Sequence, residues 1–188
     1  MTTTFSTTAA GLIALLLVLG NQVKADGMVP DTSVVIVHEA DGETSVSVTN
    51  TDSQLSLLHV TLQDIPEDTE PLLLVTPPLA RVEASKSQLV RFILQNNTPL
   101  RTQRLKRVTF EGIPQARPSS GATIGISLRQ NLPLILHPKD LPQHNAPWEL
   151  LTWHLQGTTL SVRNDSAYVV RLADEVVLSP QKQKVYLP

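Results

Sequence analysis

The sequence contains no cysteine, and its 15 Lys and Arg nearly balance 17 Asp and Glu over 188 residues. Without cysteine there is no disulfide, no thiolate nucleophile and no Cys-ligated zinc. A formal charge of −2 leaves no basic face of the kind that grips nucleic acid. Aromatic residues make up only 4%, and 8 glycines stand against 14 prolines, which suits a β-rich chain punctuated by turns. No apolar run reaches the ~20 residues that span a bilayer. Gly-rich phosphate loops, nucleophile elbows and Ser/His/Asp groupings are missing too. His38, His59, His137, His144 and His154 are scattered without metal-ligand spacing, so solvent contact or ordinary hydrogen bonding is their expected role. Asp64, Glu67, Asp68 and Glu70, interleaved with Pro66 and Pro71, read as a solvated loop rather than a calcium site. The sequence thus predicts no catalytic residue, no metal, no cofactor and no small-molecule substrate. What remains is a hydrophobic content of 41%, enough to fill a core.

Leu12 to Leu19 is an unbroken apolar run, extended by Ala9, Ala10 and Gly11. It has the length of a secretory h-region, and Val23-Lys24-Ala25 supplies suitable residues before a cleavage point after Ala25. Met1 to Gly11 departs from the usual pattern in having no Lys or Arg. Residues 1–25 are therefore read as a signal peptide. Export makes the lack of cysteine more telling, because an oxidising compartment would have allowed disulfides.

After residue 30 the hydrophobic pattern has period 2, and no window shows a 3.6-residue apolar face. Val34-Val35-Ile36-Val37 is a short β-branched run, and Val46 and Val48 alternate with Ser45, Ser47 and Thr49 before the turn formers Asn50-Thr51-Asp52-Ser53. Leu58, Val60 and Leu62 share one face. Val90, Phe92 and Leu94 alternate with Leu89, Arg91 and Ile93, which predicts a strand buried on both sides. Val108 and Phe110 belong to a strand that ends at Gly112-Ile113-Pro114. Such spacing predicts an antiparallel β-sandwich. Pro114 to Ala122 reads as a mobile connector, and Pro138 to Pro147, with three further prolines at and between its ends, as an interdomain hinge. Beyond it, short strands are predicted over Glu149–Leu155, Thr159–Val162, Ala167–Leu172, Glu175–Leu178 and Lys182–Leu187.

The most informative stretch is Ile124 to His137. Ile124, Ile126, Leu128, Leu132, Leu134 and Leu136 occupy one parity, and Gln130 alone interrupts them. A strand of this length reaches roughly 40 Å at about 3.3 Å per residue. Its apolar face fits an ordinary core strand. That is what periodicity alone favours; the sharper reading is an exposed edge whose first half, Ile124 to Leu128, is donated to another chain. Exposed apolar edges are normally blunted; one left open can pair with a partner's backbone while alternate side chains fill its core.

Thr76-Pro77-Pro78-Leu79-Ala80-Arg81-Val82 followed by Ser87-Gln88-Leu89-Val90-Arg91 resembles the signature of the PapD-like periplasmic pilus chaperones of the chaperone–usher pathway. Arg107 to Pro114 resembles that family's strand ending in Glu-Ile-Pro, Ile124 to Pro138 its subunit-binding G1 strand, and Asn164 to Leu172 and Val177 to Pro188 strands of its second domain. The resemblance covers nearly all of residues 31–188. It implies an all-β protein with two immunoglobulin-like β-sandwich domains, placed here at 26–137 and 148–188 on either side of a hinge at 138–147. It also implies no catalysis, a periplasmic location, capture of unfolded pilus subunits by donor-strand complementation, and delivery to an outer-membrane usher. Ile124, Ile126 and Leu128 would then be the donor residues, each contributing on the order of 1.5–3 kcal/mol when fully buried. A one-residue slip would present Gly125 and Ser127 instead.

In the best-known branch of that family an Arg on the first strand and a Lys on G1 hold the subunit's C-terminal carboxylate. Val34 and Pro133 fall at those positions, so this anchor does not carry over. Leu128 to Leu134 resembles instead the G1 strand of the archaic-like branch, which makes Arg107 the first candidate anchor and Arg129 the second, either able to take a carboxylate bidentately. Arg81 resembles a residue of a structural ion-pair network. Family members continue beyond the element matched by Val185-Tyr186-Leu187-Pro188, so the second domain is expected to lack its last strands and to self-associate through exposed edges. Two alternatives stay open: a secreted β-sandwich pilin or adhesin subunit, and a truncated, inactive chaperone. A subunit should carry an N-terminal donor extension with alternating apolar residues, and Asp26 to Thr32 reads as too short and polar for one.

Overall fold

A computed structural model describes residues 27–114, 128–178, 180 and 182–186. Apart from one turn of 3-10 helix at Pro147–Leu150, its regular elements are all strands. The proposed signal peptide lies outside the described residues.

Nine strands build a two-layer sandwich. One sheet has the order β1 (Met28–Pro30), β3 (Glu43–Asn50), β7 (Ser87–Leu94), β5 (Leu73–Thr76), all antiparallel. The other runs β2 (Val35–His38), β9 (Arg129–His137), β8 (Arg104–Pro114), β4 (Ser56–Gln63), β6 (Leu79–Val82), with β2 parallel to β9 and the rest antiparallel. The alternation in the sequence dictates which side chains meet between the layers. Val46 and Val48 on β3, Val90 and Phe92 on β7, Leu58 and Val60 on β4, Val108 and Phe110 on β8, and Leu134 and Leu136 on β9 are all buried. Phe92 and Phe110 meet edge to face across the two sheets, with ring centroids 6.3 Å apart, a favoured aromatic geometry. Asn50, fully buried at the end of β3, donates its amide to the carbonyls of Gln54, Val82 and Glu83. It thereby ties the turn after β3 to the end of β6.

Three expectations are corrected. The β7 strand is buried on one side only: Leu89 and Arg91 are exposed and Ile93 half-buried. Among the described residues no further layer covers the outer side of the β1-β3-β7-β5 sheet, and Leu89 is exposed despite its apolar character. Ala167–Leu172 forms no strand; it docks irregularly against the sandwich and the 138–147 segment, through contacts described below.

The acidic stretch is not merely a solvated loop. The inward parity of β8 continues past Phe110 and Val108 to Lys106, which is 2% exposed. A buried ammonium has to be fully partnered. Its Nζ donates to Asp64 Oδ1 at 2.7 Å, Asp68 Oδ1 at 2.9 Å and the carbonyls of Asp68 and Glu70. Arg104 forks onto both Asp68 oxygens and reaches Glu70 Oε2 at 3.1 Å. The hydrogen bonds from Arg104, assisted by Lys106 and opposed by burial, hold the Asp68 carboxyl down at about 2. The cluster closes the end of the core near which the chain leaves β9.

After residue 137 the described strands pair as two separate ribbons, β10 (Leu151–Gln156) with β11 (Thr159–Asn164) and β12 (Glu175–Leu178) with β13 (Gln183–Tyr186). The β10–β11 register puts Trp153 opposite Val162 and Leu155 opposite Leu160 on one face, all exposed.

Candidate functional site

The β9 strand is where the two halves of the molecule's sequence pattern part company. Its C-terminal half, Leu134–His137, has β2 on one side and β8 on the other. Its N-terminal half, Arg129–Pro133, is paired, among the described residues, to β8 alone. In an antiparallel ladder successive residues point their backbone groups to opposite edges. The Leu128 carbonyl accepts from Gly112 N on the β8 side, whereas the His137 carbonyl accepts from Glu39 N on the β2 side. Alternation therefore aims the backbone groups of Arg129, Asn131 and Pro133 at the open edge. Pro133 has no N–H, so the edge offers two donors and three carbonyls.

Side chains follow the same parity. Leu134 and Leu136 enter the core and Leu132 packs against it. At Gln130 the inward face leaves the apolar core, and its Nε2 donates to the Met28 carbonyl of β1 at 3.1 Å. The one polar interruption in the pattern thus joins the two sheets at their rim. Leu128 is 38% exposed and lies beside Gly27, where an added Cβ would sit 3.3 Å from Leu128 Cδ2. Ile124 and Ile126, the other two predicted donor residues, lie outside the described residues.

Both candidate anchor arginines flank the open half of β9 on the outer face of the sheet, but their surroundings differ. Arg129, 60% exposed, donates Nη2 to Glu111 Oε2 at 3.0 Å, an oxygen also 3.8 Å from His59 Nδ1. Its charge is met by a carboxylate. Arg107 reaches across from β8 to Asn131, with Nε 2.9 Å from Oδ1 and Nη2 3.0 Å from the backbone carbonyl. These acceptors are neutral, so Arg107 keeps its full charge while being held at the open edge. They occupy the Nε/Nη2 side of the guanidinium and leave its Nη1/Nη2 end for a second bidentate acceptor. Arg81 is not part of this group. It sits on β6, the opposite edge of the sheet, in an exposed pair with Glu83 at 2.9 Å. Asn131 escaped notice in the sequence; its position on the polar parity, diagonal to Arg107 across β8–β9, was the available signal. The described residues contain no group of three or more His, Cys, Asp or Glu able to hold a metal.

The described residues thus form an immunoglobulin-like sandwich in which the first half of β9 pairs on one side and Arg107 is held beside it. The match to the family described as "Pili and flagellar-assembly chaperone, PapD N-terminal domain" covers residues 27–142, and the chain belongs to that family. It is 45% identical over 149 residues to the uncharacterized fimbrial chaperone YhcA of Escherichia coli K12, covering 79% of this chain and 66% of that protein. The chain thus spans about two thirds of the length of that relative. Its fold is similar to that in the structure of the Salmonella enterica SafA pilin in complex with the SafB chaperone (TM-score 0.68, 24% identity, 82% of this chain and 75% of that one). It is also similar to the E. coli chaperone DraB (TM-score 0.69, 17% identity, 86% and 82%).

Proposed function

We propose that this protein is a periplasmic chaperone that captures unfolded pilus subunits by adding the open edge of β9 to them and passes them to an outer-membrane usher. The observation that carries this reading is the edge of Arg129–Pro133, unpaired among the described residues and continuous in sequence with Ile124, Ile126 and Leu128, with Arg107 held beside it by neutral acceptors. An incoming strand gains a backbone ladder from the edge, and a subunit's terminal carboxylate can take the free end of the Arg107 fork. Chaperone–pilin complexes are a known instance of such strand addition. The pilin alternative is disfavoured because the N-terminal segment is built into the sandwich: Met28 and Pro30 are buried and β1 is paired to β3. In this reading residues 1–25 are the export signal, 138–147 the hinge, and Arg81 is structural.

Periplasmic co-expression with candidate subunits followed by pull-down tests it. Ile126→Asp should abolish capture; undiminished capture would remove the donor strand from the assignment. A charged hydrogen bond is worth about 1.5–3 kcal/mol, so Arg107→Ala should weaken capture roughly ten- to hundredfold. Arg129→Ala, which removes an already neutralised pair, should cost less than about threefold. Equal losses, or none in either, would end the Arg107 assignment.

A further inference from the structure

A chain of hydrogen bonds crosses from the sandwich to the C-terminal segment, and both of its ends are groups with only one possible role. At one end Val169 N donates to Gln103 Oε1 at 2.8 Å. At the other His137 Nε2 lies 2.9 Å from the Leu141 carbonyl, which can only accept. Gln103 Nε2 and His137 Nδ1 are 2.8 Å apart between them. A backbone N–H cannot accept and a carbonyl cannot donate, so the amide orientation and the imidazole tautomer are both fixed. His137 carries its proton on Nε2, and its bare Nδ1 accepts from Gln103.

The relay joins the structural units at their junction. His137 is the last residue of β9 and is buried, Gln103 immediately precedes β8, Leu141 belongs to the linker, and Val169 lies in the segment after β11. Gln103 N also donates to the Ala167 carbonyl at 2.8 Å, and the Tyr168 hydroxyl donates to the Pro142 carbonyl at 2.8 Å.

We propose that Gln103 and His137 form a pH-responsive latch that holds the sandwich to the C-terminal segment while the imidazole is neutral. A second proton, on Nδ1, would face the Gln103 NH2. Turning the amide over would relieve that clash but set the NH2 against Val169 N–H. Every arrangement of the protonated relay loses one bond. The neutral relay completes all three hydrogen bonds and a protonated one at most two, so acid is expected to weaken the hold on the C-terminal segment. The surrounding charges act in addition. His38 packs its ring 5.2 Å from His137 on β2, and a charge there opposes a second one. Glu39, beside it, is occupied by Asn96 Nδ2 and the backbone N–H groups of Leu100 and Lys139. Arg104 follows Gln103 but is engaged with Asp68 and Glu70, and Lys139 and Asp140 stand on the linker.

The test is amide hydrogen exchange on the full chain, corrected for the intrinsic rate, compared at about pH 7.5 and about pH 5. Protection of the Val169 amide should fall about tenfold on acidification, the loss of roughly one hydrogen bond, while Phe110 in the core stays protected. Gln103→Glu offers acceptors in both directions, so there protection of Val169 should hold or rise. His38→Gln should retain the wild-type fall, and serves alone if the Glu variant does not fold. Val169 protection that ignores pH, a fall matched by Phe110, the same fall in Gln103→Glu, or no fall in His38→Gln would each overturn the latch.

Discussion

Asp68→Asn tests the buried charge cluster, because it removes a charge while preserving shape. In the folded chain the Asp68 carboxyl is moved from its ordinary 3.8 to about 2, mainly by the hydrogen bonds from Arg104. That displacement corresponds to roughly 2 kcal/mol favouring the charged, folded form. The Asp68 side chain is only 11% exposed, so solvent screening takes little from this figure. The amide also turns a donor toward two cations, although Lys106 keeps Asp64 and two carbonyls. At about pH 7 the variant should therefore be less stable by about 2–4 kcal/mol. Because the folded value is depressed, the wild-type contribution is complete above about pH 5 and disappears as pH falls through about 2. The two proteins should converge there. Urea unfolding followed by far-UV circular dichroism measures the difference across this range. Trp148 in the 3-10 turn and Trp153 on β10 both lie beyond the sandwich, so their fluorescence follows that turn and the β10–β11 ribbon separately. A difference below about 0.5 kcal/mol at neutral pH, or one unchanged at about pH 2, would refute the argument.

Other outcomes follow from the same packing. Phe110→Ala empties the inter-sheet aromatic contact and should cost about 3–5 kcal/mol in urea unfolding. Asn50→Ala strands three carbonyls that its amide serves and should cost about 2–3 kcal/mol, whereas a surface change such as Ser45→Ala should be near neutral in the same assay. At Gly112 a Cβ would sit 3.1 Å from Met28 Cγ, so Gly112→Val should loosen β1 and speed amide exchange at Thr49 and Thr51, which face it, ahead of Phe110. Equal exchange at all three would show that the residue acts on the whole sandwich.

Alternation alone exposed the strands that carry the core. The parity of Val46 and Val48, Leu58 and Val60, Val108 and Phe110, and Leu134 and Leu136 matches the faces that are buried. The same signal misled at Leu89 and Ile93, where apolar character was read as burial although, among the described residues, no further layer covers that side of the sheet. Short strands also lay below the reach of periodicity: β1 spans three residues, within a stretch read as polar. At the candidate site Arg107, Arg129 and Leu128 were legible through the family's motifs, but their environments were not. That Arg129 faces Glu111 while Arg107 faces Asn131 depends on the β8–β9 register.

What the sequence by itself determined is therefore everything that repeats locally: strand faces, turn residues, the apolar parity through Leu136, and the motif order that marks the family. The tertiary structure decided which edge is left without a partner and which charges meet. Asp68 finds Arg104 across 36 residues, Gln103 finds Val169 across 66 and Gln130 finds Met28 across 102. The physical reason is that a side chain's direction follows from the backbone period at its own position. Its partner, by contrast, follows from how strands are ordered and registered, which depends on the whole sandwich at once.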